Sequence, residues 1–306
     1  MRGRILVIKL GALGDFAQAL GPMQAIRQHH QGTPVDLLTT PPFAEIAEAT
    51  GYFDRVMARG RMKWHEFGKI ADLRQLLRGG GYDRVYDLQT SDRSSFYYRL
   101  FRPGPFPEWS GIARGCSHPH ANPDRDRLHT IERQRDQLAM AGIHDVPPPD
   151  LSWAEADISR FGLDGPFALV APGGAAHRSE KRWPADRVGA LSDLIAQAGI
   201  APVLIGGADE KPLHDAIRVS APAARSLAGN TSLLELAALA KSARFAVGND
   251  TGPMHLAAIA GIPTAVIYSH ASDPALCAQR GPNVTILREP KTEDVAVDQV
   301  AQALGL

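Results

Sequence analysis

Gly248-Asn249-Asp250-Thr251-Gly252-Pro253-Met254-His255 follows the apolar run Phe245-Ala246-Val247 and opens the small-residue segment Leu256-Ala257-Ala258-Ile259-Ala260-Gly261. An apolar run, then glycines with an Asx/Thr pair, then Pro at the first helical turn and an Ala-rich stretch predicts strand, turn and helix. At such a junction the first backbone N–H groups of the helix lack internal partners and the positive end of its dipole faces outward. A diphosphate fits there. In the alternative reading Asp250 and Thr251 only cap the helix and Gly252 relieves the turn.

The same alternation recurs on both sides of this stretch. Upstream in the second half, Phe167-Ala168-Leu169-Val170 reads as a strand and Ala171-Pro172-Gly173-Gly174-Ala175 as its turn. Arg178-Ser179-Glu180-Lys181-Arg182-Trp183-Pro184 and a helix over 185–198 follow. Pro202 to Ile205 gives the next strand, with Gly206-Gly207 and then Asp209 and Glu210 beyond it. Helices over 232–240 and 295–304 flank strands at Phe245 to Val247 and Thr264 to Tyr268.

The first half repeats the plan without repeating the sequence. A strand over 4–10 leads through Gly11-Ala12-Leu13-Gly14-Asp15 into a helix over 16–29, a Rossmann-type first turn lacking the three-glycine fingerprint. Strands over 35–39, 54–57 and 82–88 alternate with helices over 42–49, 69–78 and 129–141. Such alternation implies an α/β protein with mostly parallel sheets. The Pro-, Gly- and aromatic-rich stretch from Phe101 to Asn122 reads as an irregular excursion. Val146-Pro147-Pro148-Pro149-Asp150 reads as a stiff boundary. The expected domains are 1–150 and 151–306, two Rossmann-like units, with the last helix free to pack back on the first.

Composition narrows the function. The 306 residues exceed the usual span of one core. Hydrophobic residues at 44% and charged residues at 22% describe an ordinary globular chain, and 33 basic against 33 acidic residues provide no net field for nucleic acid. Cys116 and Cys277 lack C-x-x-C spacing, which points away from a zinc knuckle or disulfide framework and toward a reducing cytoplasm. The apolar start Ile5 to Ile8 is interrupted at Lys9 and Asp15, unlike a signal peptide, and no apolar run is long enough to span a bilayer. Arg99, Arg102, Arg114, Arg125 and Arg127 form a local basic density, a surface for peripheral contact with an anionic membrane. Asp124-Arg125-Asp126 has D-x-D spacing but no preceding apolar strand, and reads as surface charge rather than a metal site.

Three segments resemble the ADP-heptose:lipopolysaccharide heptosyltransferases of the glycosyltransferase B fold. They are Ile5-Leu6-Val7-Ile8-Lys9-Leu10 with Gly14-Asp15, then Pro172-Gly173 through Lys181-Arg182-Trp183-Pro184, then Gly248 through Ala258. The resemblance implies two Rossmann-like domains facing across a cleft, an acceptor-binding first domain and a donor-binding second. It implies that Asp15 is the general base and that Lys181 binds the donor diphosphate. Gly173, Gly174, His177, Asn249, Asp250, Thr251, Gly252 and His255 would complete the donor site, with Asp209 or Glu210 on the adenosine ribose. Gly14, Gln89 and Arg93 would face the acceptor.

The expected reaction is inverting transfer of a heptose from ADP-heptose to a lipopolysaccharide-core or related glycan, at the inner face of the cytoplasmic membrane. No metal or other cofactor is expected, because a Lys ammonium and a helix N-terminus can stabilise the leaving diphosphate. Other readings are a transferase or epimerase using another sugar nucleotide, and a non-catalytic sugar-nucleotide-binding protein. Ala176-His177 and the Ser269 to Pro274 turn depart from the family pattern.

Overall fold

The computed structural model describes residues 3–62, 65–174 and 179–306. The chain divides into two compact units, Met1–Pro149 and Asp150–Leu306. In the first, β1 (Arg4–Ile8), α1 (Leu13–Gln18), α2 (Leu20–His29), β2 (Val35–Thr39), α3 (Ala44–Ala49) and β3 (Arg55–Ala58) make one half. The other half is α4 (Phe67–Gly79), β4 (Tyr82–Asp87), α5 (Asp92–Arg99), β5 (Glu108–Gly111), β6 (His118–Pro119) and α6 (Thr130–Met140). All strands are parallel, in the order β3-β2-β1-β4-β5-β6.

The second unit runs β7 (Phe167–Ala171), α7 (Ala185–Gln197), β8 (Ala201–Leu204), α8 (Lys211–Ser220), β9 (Arg225–Ser226) and α9 (Leu233–Ser242). It continues through β10 (Phe245–Asn249), α10 (Gly252–Ala260), β11 (Thr264–Tyr268), α11 (Pro274–Cys277), β12 (Val284–Arg288) and α12 (Val297–Leu304). Its sheet, β12-β11-β10-β7-β8-β9, has the same doubly wound topology. The helix α12 packs on α7 and β11 of its own unit.

These strands form because their residues are buried on both faces. Every residue of β7, β10 and β11 is buried, as the continuous apolar runs FALVA, FAVGN and TAVIY require of a sheet covered on both sides. Ala168, Val170, Leu191, Leu204, Phe245 and Ile267 belong to one core cluster, and Leu6, Ile8, Leu38, Leu73, Val85 and Trp109 to its counterpart in the first unit. Gly248 is required by this packing. A Cβ there would stand 2.5 Å from the Ala171 carbonyl oxygen of the neighbouring strand.

The structure departs from the sequence reading in several places, among them α8 and β9, to which that reading assigns nothing. The helix expected over 16–29 is two helices meeting at Ala19. Pro22 has no N–H to give to Gln18, so the ladder must break there. The stretch read as irregular holds β5 and β6, which extend the first sheet and bury Trp109. At four and two residues they are too short for a periodic signal. The edge strand β12 was also not expected, and none of its residues is fully buried.

In each sheet the winding reverses at one point: between β1 and β4 in the first unit, and between β7 and β10 in the second. Open α/β sheets bind ligands at the carboxyl ends of the strands beside such a point. The segments carrying Asp15, Gln89 and Arg93 follow β1 and β4. Those carrying Gly173, Lys181 and Asp250 follow β7 and β10.

Candidate active site

In the second unit, Asn249 organises the strand ends. Its side chain is buried at 1% exposure, and its Nδ2 donates to the carbonyls of Pro172 (2.7 Å) and Gly173 (3.0 Å). Its Oδ1 accepts the Trp183 N–H at 3.0 Å. One amide thus fixes the turn after β7 and the Lys181-Arg182-Trp183-Pro184 segment to the end of β10. Trp183 is itself buried, its indole N–H on the Val295 carbonyl at 3.1 Å.

The next residue, Asp250, receives Lys181. The Lys181 Nζ lies 2.8 Å from Asp250 Oδ2, with the two side chains 15% and 10% exposed. Ser272 donates to the same oxygen at 2.7 Å. On Oδ1, Tyr268 OH lies at 2.9 Å and Gln279 Nε2 at 3.2 Å. Burial pushes the carboxyl upward, but the hydrogen bonds from Lys181 and Ser272 outweigh it and hold Asp250 below its ordinary value. Burial and the Asp250 charge push the Tyr268 phenol strongly upward, so it serves as a donor.

Asp250 is therefore not a helix cap. Thr251 occupies the N-cap of α10 without a side-chain cap bond, and its hydroxyl turns back to the Asn249 carbonyl at 3.3 Å. At the start of α10, Pro253 carries no N–H and the Met254 N–H bonds to the Thr251 carbonyl at 3.2 Å, so the donor this helix end offers next to Asp250 is the Gly252 N–H. His255, buried in the same helix, faces Gln279, Nε2 to Nε2 at 3.2 Å.

Of the two acidic candidates after β8, Glu210 makes the contact. It accepts the Gly174 N–H at 2.8 Å, and a Cβ on Gly173 would land on its carboxylate. Burial raises the Glu210 carboxyl above its ordinary value, and the Gly174 N–H works against that rise. Asp209 is exposed on the same turn. Arg182 donates to the Gly174 carbonyl at 2.6 Å, closing the turn from the other side. His177 lies outside the described residues.

In the first unit, Asp15 is half-buried in the first turn of α1, next to Gly14. Gln89 ties the two strand-end loops together, its Oε1 accepting the Leu10 N–H at 2.8 Å. Arg93 is half-buried in the first turn of α5, behind a Ser91–Ser94 capping box. Three groups were not anticipated. Lys9 is buried at 3% exposure and donates to the Leu88 carbonyl at 3.0 Å; burial lowers its pKa while the Asp15 charge opposes that shift. Arg133 on α6 is lowered by burial and by Arg125, again against Asp15. Asp87, at the end of β4, is fully buried and pushed up to about 6, although its Oδ1 accepts the N–H groups of Gln89 (3.1 Å) and Thr90 (3.0 Å).

Asp124 and Asp126 are exposed and paired with Arg127 and Arg125. Among the described residues no group of three or more His, Cys, Asp or Glu side chains is placed to hold a metal, and Cys116 and Cys277 are free. No helix among them is long and apolar enough to cross a membrane.

Two doubly wound units, each with polar groups at the strand ends beside its reversal, are the architecture of the glycosyltransferase B fold. Solved structures share it. The E. coli ADP-heptose lipopolysaccharide heptosyltransferase II matches with a TM-score of 0.84 at 20% identity, over 99% of this chain and 97% of that one. The E. coli heptosyltransferase WaaC with ADP matches with a TM-score of 0.78 at 23% identity, over 99% of both chains. In sequence, lipopolysaccharide heptosyltransferase 1 of E. coli K12 is 24% identical over 303 residues, 94% of each protein. The sequence profile of glycosyltransferase family 9 (heptosyltransferase) matches residues 70–303. The chain belongs to this heptosyltransferase family and is a glycosyltransferase.

Proposed function

We propose that the protein transfers a heptose from ADP-heptose to a lipopolysaccharide-core glycan with inversion at the anomeric carbon. The observation that carries this reading is the Lys181 ammonium seated on Asp250 beside the mouth of α10, at the reversal point of the second sheet. The relatives' lipopolysaccharide heptosyltransferase names and the ADP in the WaaC structure support the choice of donor and acceptor.

In this mechanism the donor diphosphate meets Lys181 and the Gly252 N–H at the start of α10. The leaving ADP oxygen gains negative charge as the bond to the sugar breaks, and a fixed cation and helix dipole stabilise that charge. Glu210, turned onto the Gly174 N–H, accepts hydrogen bonds from the ribose hydroxyls. Thr251, Gly252 and His255 border the sugar and phosphates. Asp15 takes the proton of the acceptor hydroxyl as its oxygen attacks the anomeric carbon opposite the diphosphate, while Gly14, Gln89 and Arg93 orient the acceptor. The reaction needs no divalent ion, since Lys181 supplies the charge. It takes place at the cytoplasmic face of the inner membrane, with the basic surface around Arg99 to Arg127 in peripheral contact.

Purified protein given ADP-heptose and a heptose-deficient core acceptor should release ADP, and UDP- or GDP-linked sugars should not substitute. Asp15→Ala should abolish turnover while ADP still binds. Turnover retained in that variant removes Asp15 as the base, and preference for another nucleotide removes the donor assignment. Failure to bind anionic vesicles at low salt contradicts the membrane contact, and binding that persists unchanged in high salt contradicts the basic surface as its source.

A further inference from the structure

Both members of the Lys181–Asp250 pair hang on one later segment, 268–279. Tyr268, Ser272 and Gln279 reach the carboxylate of Asp250. Ser269, buried at 2% exposure, donates to the Glu180 carbonyl at 3.0 Å and so pins the turn Ser179–Lys181 that carries the lysine. The proposed mechanism gives this segment no role.

Gln279 is the pivot. It is 2% exposed, and its amide faces three polar groups at once. Its Nε2 lies 3.2 Å from both Asp250 Oδ1 and His255 Nε2, while its Oε1 lies 2.9 Å from Tyr268 OH, whose single proton is shared between that oxygen and Asp250 Oδ1. The carboxylate fixes the orientation of the amide, because the flipped form would set the carbonyl oxygen against a negative charge. His255 Nε2 then accepts a hydrogen bond from the Gln279 amide, which leaves the ring proton on Nδ1. A carboxylate supplied with donors on both oxygens, inside a half-buried pair, cannot rotate away when a second anion approaches its lysine.

We propose that Tyr268, Ser272 and Gln279 are positioning residues for donor engagement: they hold Asp250 as a fixed anionic seat from which Lys181 meets the diphosphate of the sugar nucleotide. The inference rests on the donor reading above and deepens it. Without the seat, Lys181 would follow the incoming phosphate through several rotamers, and the ordering lost from the site would be charged against binding.

The test is a double-mutant cycle read by calorimetric titration with ADP. Gln279→Leu and Ser272→Ala should each weaken ADP binding by roughly fivefold to tenfold, the size of one well-placed hydrogen bond. Lys181→Met should weaken it at least as much. The double variant Lys181→Met/Gln279→Leu should bind like Lys181→Met alone, because Gln279 acts through the lysine. Ser272→Thr, which keeps the hydroxyl, should recover most of the Ser272→Ala loss. Losses that multiply in the double variant, or an unchanged Kd in Gln279→Leu and Ser272→Ala, overturn the inference.

A second readout is independent of nucleotide. In protein labelled with 15N-lysine, the Lys181 ammonium signal, assigned by its absence in Lys181→Met, should be protected from exchange in the wild type and lose protection in Ser272→Ala. If wild-type protein binds no ADP, the donor reading fails and this signal alone decides whether the seat exists. An ammonium equally protected in both proteins then refutes it.

Discussion

Replacing Asn249 with Ala removes the amide that holds three backbone groups inside the second unit. The Pro172 and Gly173 carbonyls lose donors at 2.7 and 3.0 Å, and the Trp183 N–H loses an acceptor at 3.0 Å. The side chain is 1% exposed, so water does not replace these bonds without opening the turn. A hydrogen bond lost from a buried group costs about 1 kcal/mol, and more where the partner stays unsatisfied. For three such groups we expect a loss of about 3–5 kcal/mol, against a total stability of order 5–15 kcal/mol. The variant should fold but release the turn at Gly173 and the segment at Lys181, so ADP affinity should fall with stability. Urea unfolding followed by Trp fluorescence, beside ADP titration, measures both. A loss under about 1 kcal/mol with unchanged ADP affinity would refute the claim that this amide builds the site.

Asn249→Asp supplies the sign. Its second oxygen would face the Pro172 and Gly173 carbonyls, so the folded state favours the protonated acid and the folded pKa lies above the unfolded one. Its stability should therefore approach the wild type near pH 4 and fall as pH rises above the unfolded value of about 3.9. A variant equally stable at pH 4 and pH 8 would contradict that geometry.

Other outcomes follow from the same contacts. Asp87 is pushed up from 3.8 to about 6 by burial, so the folded protein keeps a proton that the unfolded chain releases. Its contribution is fully present below about pH 4 and declines by roughly 3 kcal/mol as pH rises through 6. Asp87→Asn keeps the Oδ1 acceptor, and the difference in unfolding free energy between wild type and variant should slope downward between pH 4 and 6.5 and be flat above. A flat difference throughout contradicts it. Gly173→Ala puts a methyl group on the Glu210 carboxylate, and should weaken ADP binding more than tenfold by forcing that carboxylate away. Calorimetry checks this, and an unchanged Kd would exclude Glu210 from the nucleotide site. Turnover should survive EDTA; loss in chelator and recovery with a divalent ion would show that Lys181 does not supply the charge alone.

The α/β class was legible because β7, β10 and β11 are covered on both faces and so appear as unbroken apolar runs. What followed each strand was legible too, since glycines at 173, 174 and 248 mark places where the chain must pass close to other groups. The short strands β5 and β6 were not, because four and two residues carry no period. Nor was the exposed edge β12. Within the site, Lys181 and Asp250 each stood out alone, but their pairing spans 69 residues and leaves no local trace. The residues that hold Asp250 lie outside the three motif segments: Ser272 is 22 residues beyond it and Gln279 29. Sequence shows which residues are chemically competent; the fold determines which of them touch.

The most direct measurement is a crystal structure with a non-transferable ADP-heptose analogue. The account predicts the diphosphate against Lys181 Nζ and the Gly252 N–H at the start of α10, the ribose on Glu210, and Lys181 still paired with Asp250. Density for the nucleotide elsewhere on the second unit, or a diphosphate that leaves Lys181 untouched, would contradict it.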